Sequence, residues 1–100
     1  MVRLLIFIRP PRYGAPADTE SWLQRELASL CHDGVDRVQL RRLRSASPRL
    51  TATCAWMVEL DCHSPEAACA AVGDGPGMML LGDLRMLGMH PSVALVEEIG

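Results

Sequence analysis

The chain of 100 residues divides into six segments according to the spacing of its apolar residues. An apolar or alternating pattern is typical of a β-strand, whereas apolar residues three or four positions apart are typical of an α-helix. The segments follow the order strand, helix, strand, strand, helix, strand, and they occupy residues 2–8, 18–31, 35–44, 51–62, 64–87 and 92–99. A strand-helix-strand unit therefore occurs twice, which predicts an α+β protein with the element order βαββαβ.

Polar residues and glycines mark the ends of the two predicted helices. Asp18 or Thr19 is the expected N-cap of the first helix, and Ser64 followed by Pro65 should begin the second. The glycines and proline in residues 73–77 predict a break in the second helix. The segment after the break is apolar around most of its circumference, so we expect it to be buried. The methionines in and after it are interpreted as core residues: Met78, Met79, Met86 and Met89.

Length and composition describe an ordinary globular protein. A chain of this length forms one domain, residues 1–100, and a chain this small has a thin margin of stability that pairing with a second copy would relieve. The apolar content of 49% and the net charge of -2 exclude a disordered or strongly basic protein. The first apolar stretch is too short for a signal sequence, and no run could span a bilayer. We therefore predict a cytoplasmic protein without a membrane partner.

Cysteine and histidine spacing gives no sign of a metal centre. The cysteines lack the paired spacing of a zinc site and are interpreted as small buried hydrophobes; they are Cys31, Cys54, Cys62 and Cys69. His63 and His90 each lie next to the end of a predicted strand and are interpreted as loop residues rather than ligands. We predict neither a metal site nor a cofactor.

Five arginines lie close together in and after the second predicted strand: Arg37, Arg41, Arg42, Arg44 and Arg49. A sheet of this type can bind RNA when aromatic residues of its central strands stack on the bases. Only Phe7 and Trp56 are aromatic in the predicted strands. A solvated strand end or a contact between subunits is therefore favoured, and no nucleic-acid partner is predicted.

Residues 56–98 resemble the C-terminal half of the EthD-like family. The matching positions are Asp61, Ala67, Ala68, Asp83, Leu84, Val96, Glu97 and Glu98. They follow the family's order of an aspartate, an alanine pair, an Asp-Leu pair and a final valine with two glutamates. The remaining residues resemble the family only in element order.

The resemblance implies a ferredoxin-like protomer that forms a homodimeric α+β barrel, in which two four-stranded sheets close a barrel between subunits. It also implies a small apolar or aromatic ligand in the barrel cavity, with cofactor-free proton transfer or oxygenase-type chemistry as the family's activity. Many members have a His-Ala-Pro-Leu phrase near the end of the first helix. At the corresponding place this chain has Arg25 and Glu26, and His32 is no obvious replacement. The reaction is therefore either lost or carried by other residues.

Alternation along the strands predicts which residues face the cavity. If Cys54, Trp56 and Val58 pack on the helices, the residues between them face the barrel interior or the partner. With the polar residues of the preceding strand, the predicted ligand-binding set is Arg37, Gln39, Met57, Glu59 and Asp61.

Glu59 is the candidate catalytic residue of this set. A carboxylate enclosed by an apolar barrel holds its proton more tightly and can act as a general base near neutral pH. The alternative is an ion pair between Glu59 and an arginine across the sheet or the dimer. A non-catalytic dimeric interaction module is the corresponding alternative for the whole protein, so whether this chain is an enzyme stays open at the level of sequence.

Overall fold

The computed structural model describes residues 1–12, 16–31, 34–49, 53–97 and 99. The strands are β1 (Val2–Ile8), β2 (Val35–Arg42), β3 (Trp56–Cys62) and β4 (Ser92–Val96). The helices are α1 (Pro16–Leu27), α2 (Pro65–Gly73) and α3 (Gly75–Met86), and a 3-10 turn at Ala28–Leu30 follows α1. The predicted order βαββαβ is confirmed, with the second helix in two parts. Among the described residues, no helix combines the length and hydrophobicity needed to cross a membrane.

The four strands form one antiparallel sheet in the order β2-β3-β1-β4. The two strands whose burial alternates most clearly, β1 and β3, lie side by side in its centre. Their even-numbered residues are buried except for the half-buried Val2, which places Ile6, Trp56 and Val58 under the helices. This is the arrangement expected of an antiparallel sheet that packs on helices through one face.

The core lies between that sheet face and the helices. Its helical residues come from α1, α2, α3 and the segments that follow them: Leu23, Leu27, Leu30, Ala68, Ala71, Leu80, Leu81, Leu84 and Met89. Because α3 packs through its leucines, its methionines lie on the other side of the helix. Met78, Met79 and Met86 are 55%, 69% and 88% exposed, so the prediction that they belong to the core is wrong. Met89 alone of the four is buried as predicted.

Two further expectations are corrected. α1 begins at Pro16, so Asp18 and Thr19 lie inside its first turn and not at the cap, since the fixed φ of proline suits a first helical position. β3 begins at Trp56 and not at residue 51, although Ala55 just before it still donates its N–H to Ile8 O of β1 at 2.8 Å. Residues 51 and 52 lie outside the described part of the chain, as does Glu98.

Ser64 caps α2 as predicted. Its side chain accepts a hydrogen bond from Ala67 N at 3.1 Å, and Pro65 occupies the first helical position. The break between α2 and α3 is narrower than the glycine pattern predicts, because α3 already includes Gly75, Pro76 and Gly77. The cysteines also divide: Cys62 is buried and Cys54 half-buried, whereas Cys31 and Cys69 are exposed, so for those two the prediction of burial is wrong.

Glu20 joins α1 to the end of the sheet. Arg42 of β2 donates to both carboxylate oxygens of Glu20, at 2.5 Å and 2.6 Å, and Trp56 Nε1 of β3 donates to Oε1 at 2.9 Å. Trp56 is 2% exposed, so its indole N–H needs such an acceptor. The hydrogen bonds from Arg42 and then Trp56 lower the pKa of Glu20 from 4.5 to about 2.

We predict that Glu20→Gln destabilises the fold in a pH-dependent way. Because the folded chain holds the pKa of Glu20 at about 2, below its ordinary 4.5, the stabilisation is complete above pH 4.5 and is lost as the pH falls towards 2. The variant should melt roughly 5 °C below the parent at pH 7, with the difference shrinking between pH 5 and pH 2. Thermal denaturation followed by circular dichroism measures this, with Glu26→Gln in the same helix as the control. A difference in melting temperature that stays constant with pH would contradict the stabilising role of the ionised Glu20 carboxylate.

Gly77 allows α2 and α3 to approach each other. A Cβ on Gly77 would lie 1.6 Å from the carbonyl oxygen of Ala71, whereas a Cβ on Gly82 of the same helix would meet nothing within 4 Å. Any side chain at Gly77 would therefore force the two helices apart.

A pair of glycine substitutions tests this contact. Gly77→Ala should lower the free energy of unfolding by about 3 kcal/mol or more. Gly82→Ala should raise it by about 0.5–1 kcal/mol, because alanine is the better helix former. Urea denaturation of the two variants measures both effects, and a change of the same sign in both would show that the helix contact is wrongly described.

Candidate functional site

The sheet face opposite the helices carries the predicted site residues. The strand registers place a row of side chains from each strand on this face, which we call the open face: Arg3, Leu5, Phe7, Arg37, Gln39, Arg41, Met57, Glu59, Asp61, Ser92, Ala94 and Val96. None of these residues belongs to the core of the described chain. The structure thus brings Arg37, Gln39, Met57, Glu59 and Asp61 to one face, as the alternation predicted.

A β-bulge in β2 gives this face its composition. Val35 pairs with the buried Cys62, but after the bulge Arg37 pairs with Asp61, so the odd-numbered residues change from the helix side to the open face. If the register continued from Val35 without a bulge, Arg37, Gln39 and Arg41 would lie on the same face as Val35 and point at the helices. The alternation in the sequence predicts that Arg37, Gln39 and Arg41 share a face, but it does not predict the bulge that places them on the open face.

The two carboxylates of the open face are paired with arginines. Arg41 Nε donates to Glu59 Oε1 at 3.0 Å and Arg3 Nε donates to Asp61 Oδ1 at 3.0 Å. The side chains of Glu59 and Asp61 are only 14% and 16% exposed, whereas both arginines are about half exposed. The hydrogen bond from Arg3 to Asp61, then the charges of Asp61 and Glu59, raise the pKa of Arg3.

Glu59 lies at the centre of this arrangement. It is opposite Gln39 on one side and Leu5 on the other, and Arg41 also donates to Gln39 Oε1 at 3.0 Å. The pairing with Arg41 is the cross-sheet ion pair that was the alternative role for Glu59. The carboxylate is therefore held in a fixed place with its charge balanced, beside an apolar side chain.

At one end of the open face the two central strands carry apolar side chains, between Arg41 of β2 and Ser92 of β4. Phe7 pairs with Met57 across β1 and β3, and Leu5 pairs with Ala94 of β4. Phe7, Leu5 and Met57 are half-buried although the helices lie on the other side of the sheet. Leu5 and Phe7 are not among the predicted site residues, although the sequence carries their signal, since β1 is apolar on both faces except at Arg3.

Two predicted residues also line clefts at the edges of this face. Asp61 and Arg3 line a cleft of about 380 Å³ with Val2 and Val96. Gln39 lines a different cleft of about 420 Å³ between α1 and β2, whose walls include Leu27 and Leu40. Within the described chain, Gln39 and Asp61 therefore share a face but line different clefts.

Histidine, cysteine and carboxylate side chains do not form a metal centre in the described part of the chain. His63 Nε2 and Asp36 Oδ1 are 2.6 Å apart at the end of the sheet, but within the described ranges no three such residues come together. The chemistry of the open face is therefore that of arginine, carboxylate, amide and apolar groups.

Comparison with known proteins identifies the class of the fold. No family model and no curated protein matches the sequence. Among solved structures, the chain is similar to a mutant of SnoaB, a cofactor-independent oxygenase from Streptomyces nogalater, with 20% identity, a TM-score of 0.70 and coverage of 99% of this chain and 93% of that one. It is also similar to an EthD family protein from Bacillus halodurans, with 18% identity, a TM-score of 0.68 and coverage of 99% and 100%.

A third similar structure is a dimeric ferredoxin-like protein of unknown function from Thermobifida fusca, with 10% identity, a TM-score of 0.72 and coverage of 97% and 90%. At these identities the similarity shows the fold, which is ferredoxin-like α+β as predicted. The EthD family protein from Bacillus halodurans is thus one of the solved structures that share this fold.

Proposed function

We propose that this protein is a homodimer that binds a small apolar or aromatic compound between the open faces of its two sheets. The observation that carries the proposal is the open face itself. It combines half-buried apolar residues, Leu5, Phe7 and Met57, with a central carboxylate and amide held by an arginine. Binding sites for small molecules have this character: mostly apolar walls with a few fixed polar groups.

The charges of the open face suit a second copy of the same face. A two-fold symmetric interface brings the same surface to itself, so it must carry both members of each interaction. The open face has both, because Arg3 and Arg41 lie beside Asp61 and Glu59. The similar protein from Thermobifida fusca is described as dimeric.

The ligand would lie where the two faces leave space over the predicted site residues. Phe7 and Met57 offer the apolar wall, and Gln39 and Glu59 offer the polar contacts. Arg37 and Asp61 form the neighbouring row and would bound the cavity at its charged end.

Proton transfer by Glu59 is the catalytic form of the proposal. The side chain of Glu59 is 14% exposed and lies between Gln39 and the apolar Leu5, so a second sheet would enclose it. Its carboxylate would take a proton from an acidic C–H of the ligand, leaving the electron pair delocalised in the ligand. With dioxygen as the co-reactant, such a carbanion passes electrons to oxygen and forms a C–O bond, and SnoaB is described as a cofactor-independent oxygenase.

Phe7→Glu should dissociate the dimer. A carboxylate in the apolar part of the interface would be buried without a partner, so the dimer dissociation constant should rise more than about 100-fold. Analytical ultracentrifugation measures the change. Met79→Glu is the matched control, because Met79 is an equally apolar side chain that is 69% exposed on α3. Dissociation by Met79→Glu with no effect of Phe7→Glu would place the interface on α3 and contradict the proposal.

Glu59→Gln separates catalysis from binding. The probe for proton transfer is 2-tetralone, an aromatic ketone with acidic C–H groups, whose exchange with deuterium in D₂O is followed by NMR. If Glu59 is the base, Glu59→Gln should slow the exchange by about 10²-fold or more, while binding of the neutral dye N-phenyl-1-naphthylamine is retained. Glu66→Gln, at an exposed position of α2, is the control.

Equal exchange rates for the parent and Glu59→Gln would remove the catalytic form of the proposal. If the dye also failed to bind the parent protein, the ligand cavity would be contradicted as well. The non-catalytic dimeric module would then be the better description.

A further inference from the structure

A cleft of about 700 Å³ lies where β1 ends and β4 begins, beside the end of α3, and none of the predicted site residues is among its described lining. Its lining comes from two separate segments, the chain after β1 and the chain at and after the end of α3: Arg12, Arg85, Met86, Leu87, Gly88 and His90. None of these residues belongs to the open face, so the inference that follows does not rest on the proposed function.

Backbone contacts hold the two walls of this cleft together. Arg12 N donates to Leu87 O at 3.4 Å, and Arg9 N donates to Met89 O at 2.8 Å. Gly88 has a φ of +73°, and a Cβ there would lie 3.4 Å from the Cβ of Arg12. The left-handed turn at Gly88 therefore lets the arginine-bearing segment approach the end of α3 closely.

The cleft is positively charged in a chain whose net charge is -2. Two of its lining residues are arginines and a third is histidine, and no acidic residue is among its described lining. The side chains of Arg85 and His90 take part in none of the hydrogen bonds or ion pairs of the described chain. His90 also has a φ of +40°, a strained conformation for a residue other than glycine, and such strain concentrates at functional sites.

The remaining wall of the cleft is apolar. Met86 is 88% exposed and Leu87 is 46% exposed, and both stand beside Arg85 in the chain. The guanidinium group of Arg85 suits an oxyanion such as a carboxylate or a phosphate, because its planar N–H groups can bind two oxygens at once. An apolar chain attached to that oxyanion would cover Met86 and Leu87.

We propose that this cleft binds a small amphiphilic acid, with its carboxylate or phosphate head group held by Arg85 and its apolar chain against Met86 and Leu87. The volume is sufficient for such a molecule, since ligand pockets usually measure about 300–1,000 Å³. The site is distinct from the cavity proposed at the open face.

NMR titration of the full chain tests this site. The probes are hexanoate, hexyl phosphate, the neutral 1-hexanol and inorganic phosphate, and the readout is the amide shifts of residues 85–90. We expect both acids to bind at this segment, and 1-hexanol and inorganic phosphate to bind at least about tenfold more weakly than the matching acid. The tighter of the two acids identifies the head group.

Two substitutions locate the charge. Arg85→Gln should weaken binding of the better acid at least about tenfold, and Arg85→Lys should weaken it less. Arg25→Gln, at an exposed position of α1, should leave it unchanged.

Four results would overturn the proposal. The first is binding of 1-hexanol as tight as hexanoate, because Arg85 would then contribute nothing. The second is binding of inorganic phosphate as tight as hexyl phosphate, because the apolar wall would then contribute nothing. The third is the absence of shifts at residues 85–90 at millimolar acid. The fourth is an equal loss of binding in Arg25→Gln and in a folded Arg85→Gln variant.

Discussion

The helices of the described chain pack on one face of the four-stranded sheet, and this one-sided packing determines the rest of the molecule. The helix side of the sheet is filled by the even-numbered residues of β1 and β3. The other side carries Leu5, Phe7 and Met57, which no described helix covers and which lie outside the core. Apolar surface of this kind gains free energy when it is removed from water. A second copy of the sheet can supply that cover, and the space it leaves becomes the proposed binding cavity.

Contacts on the helix side keep the sheet in place for this role. Glu20 fixes α1 against β2 and β3 through Arg42 and Trp56, and the absence of a side chain at Gly77 lets α3 lie close to α2. The open face is stiffened separately by its own ion pairs. Since Arg41 holds both Glu59 and Gln39, the polar groups of the proposed cavity are already positioned in the free protein, which would lower the entropy lost when a ligand binds.

Much of the fold follows from the sequence, because alternation and capping are local signals. The bounds of β1, the cap at Ser64 and the shared face of Glu59 and Asp61 were all predicted from spacing. The exposure of the α3 methionines was not predicted, because a helix that is apolar around most of its circumference has no periodic pattern to show which side packs against the core. The bulge that turns Arg37 to the open face depends on the pairing of β2 with β3. The register between two strands cannot be predicted from the sequence of either strand alone. The cleft at Arg85 likewise joins residues that are far apart in sequence.

The most direct test of the central claim compares methionine methyl groups in solution. In protein labelled with ¹³C at its methionine methyls, a soluble gadolinium chelate speeds the relaxation of methyls that it can approach. Met79 and Met86 are exposed on α3, Met89 is buried in the core, and Met57 lies on the open face. If the open face is covered by a second sheet, the Met57 methyl will be protected as well as that of Met89. Relaxation of the Met57 methyl close to that of Met79 would show that the open face is in contact with water and would contradict the account.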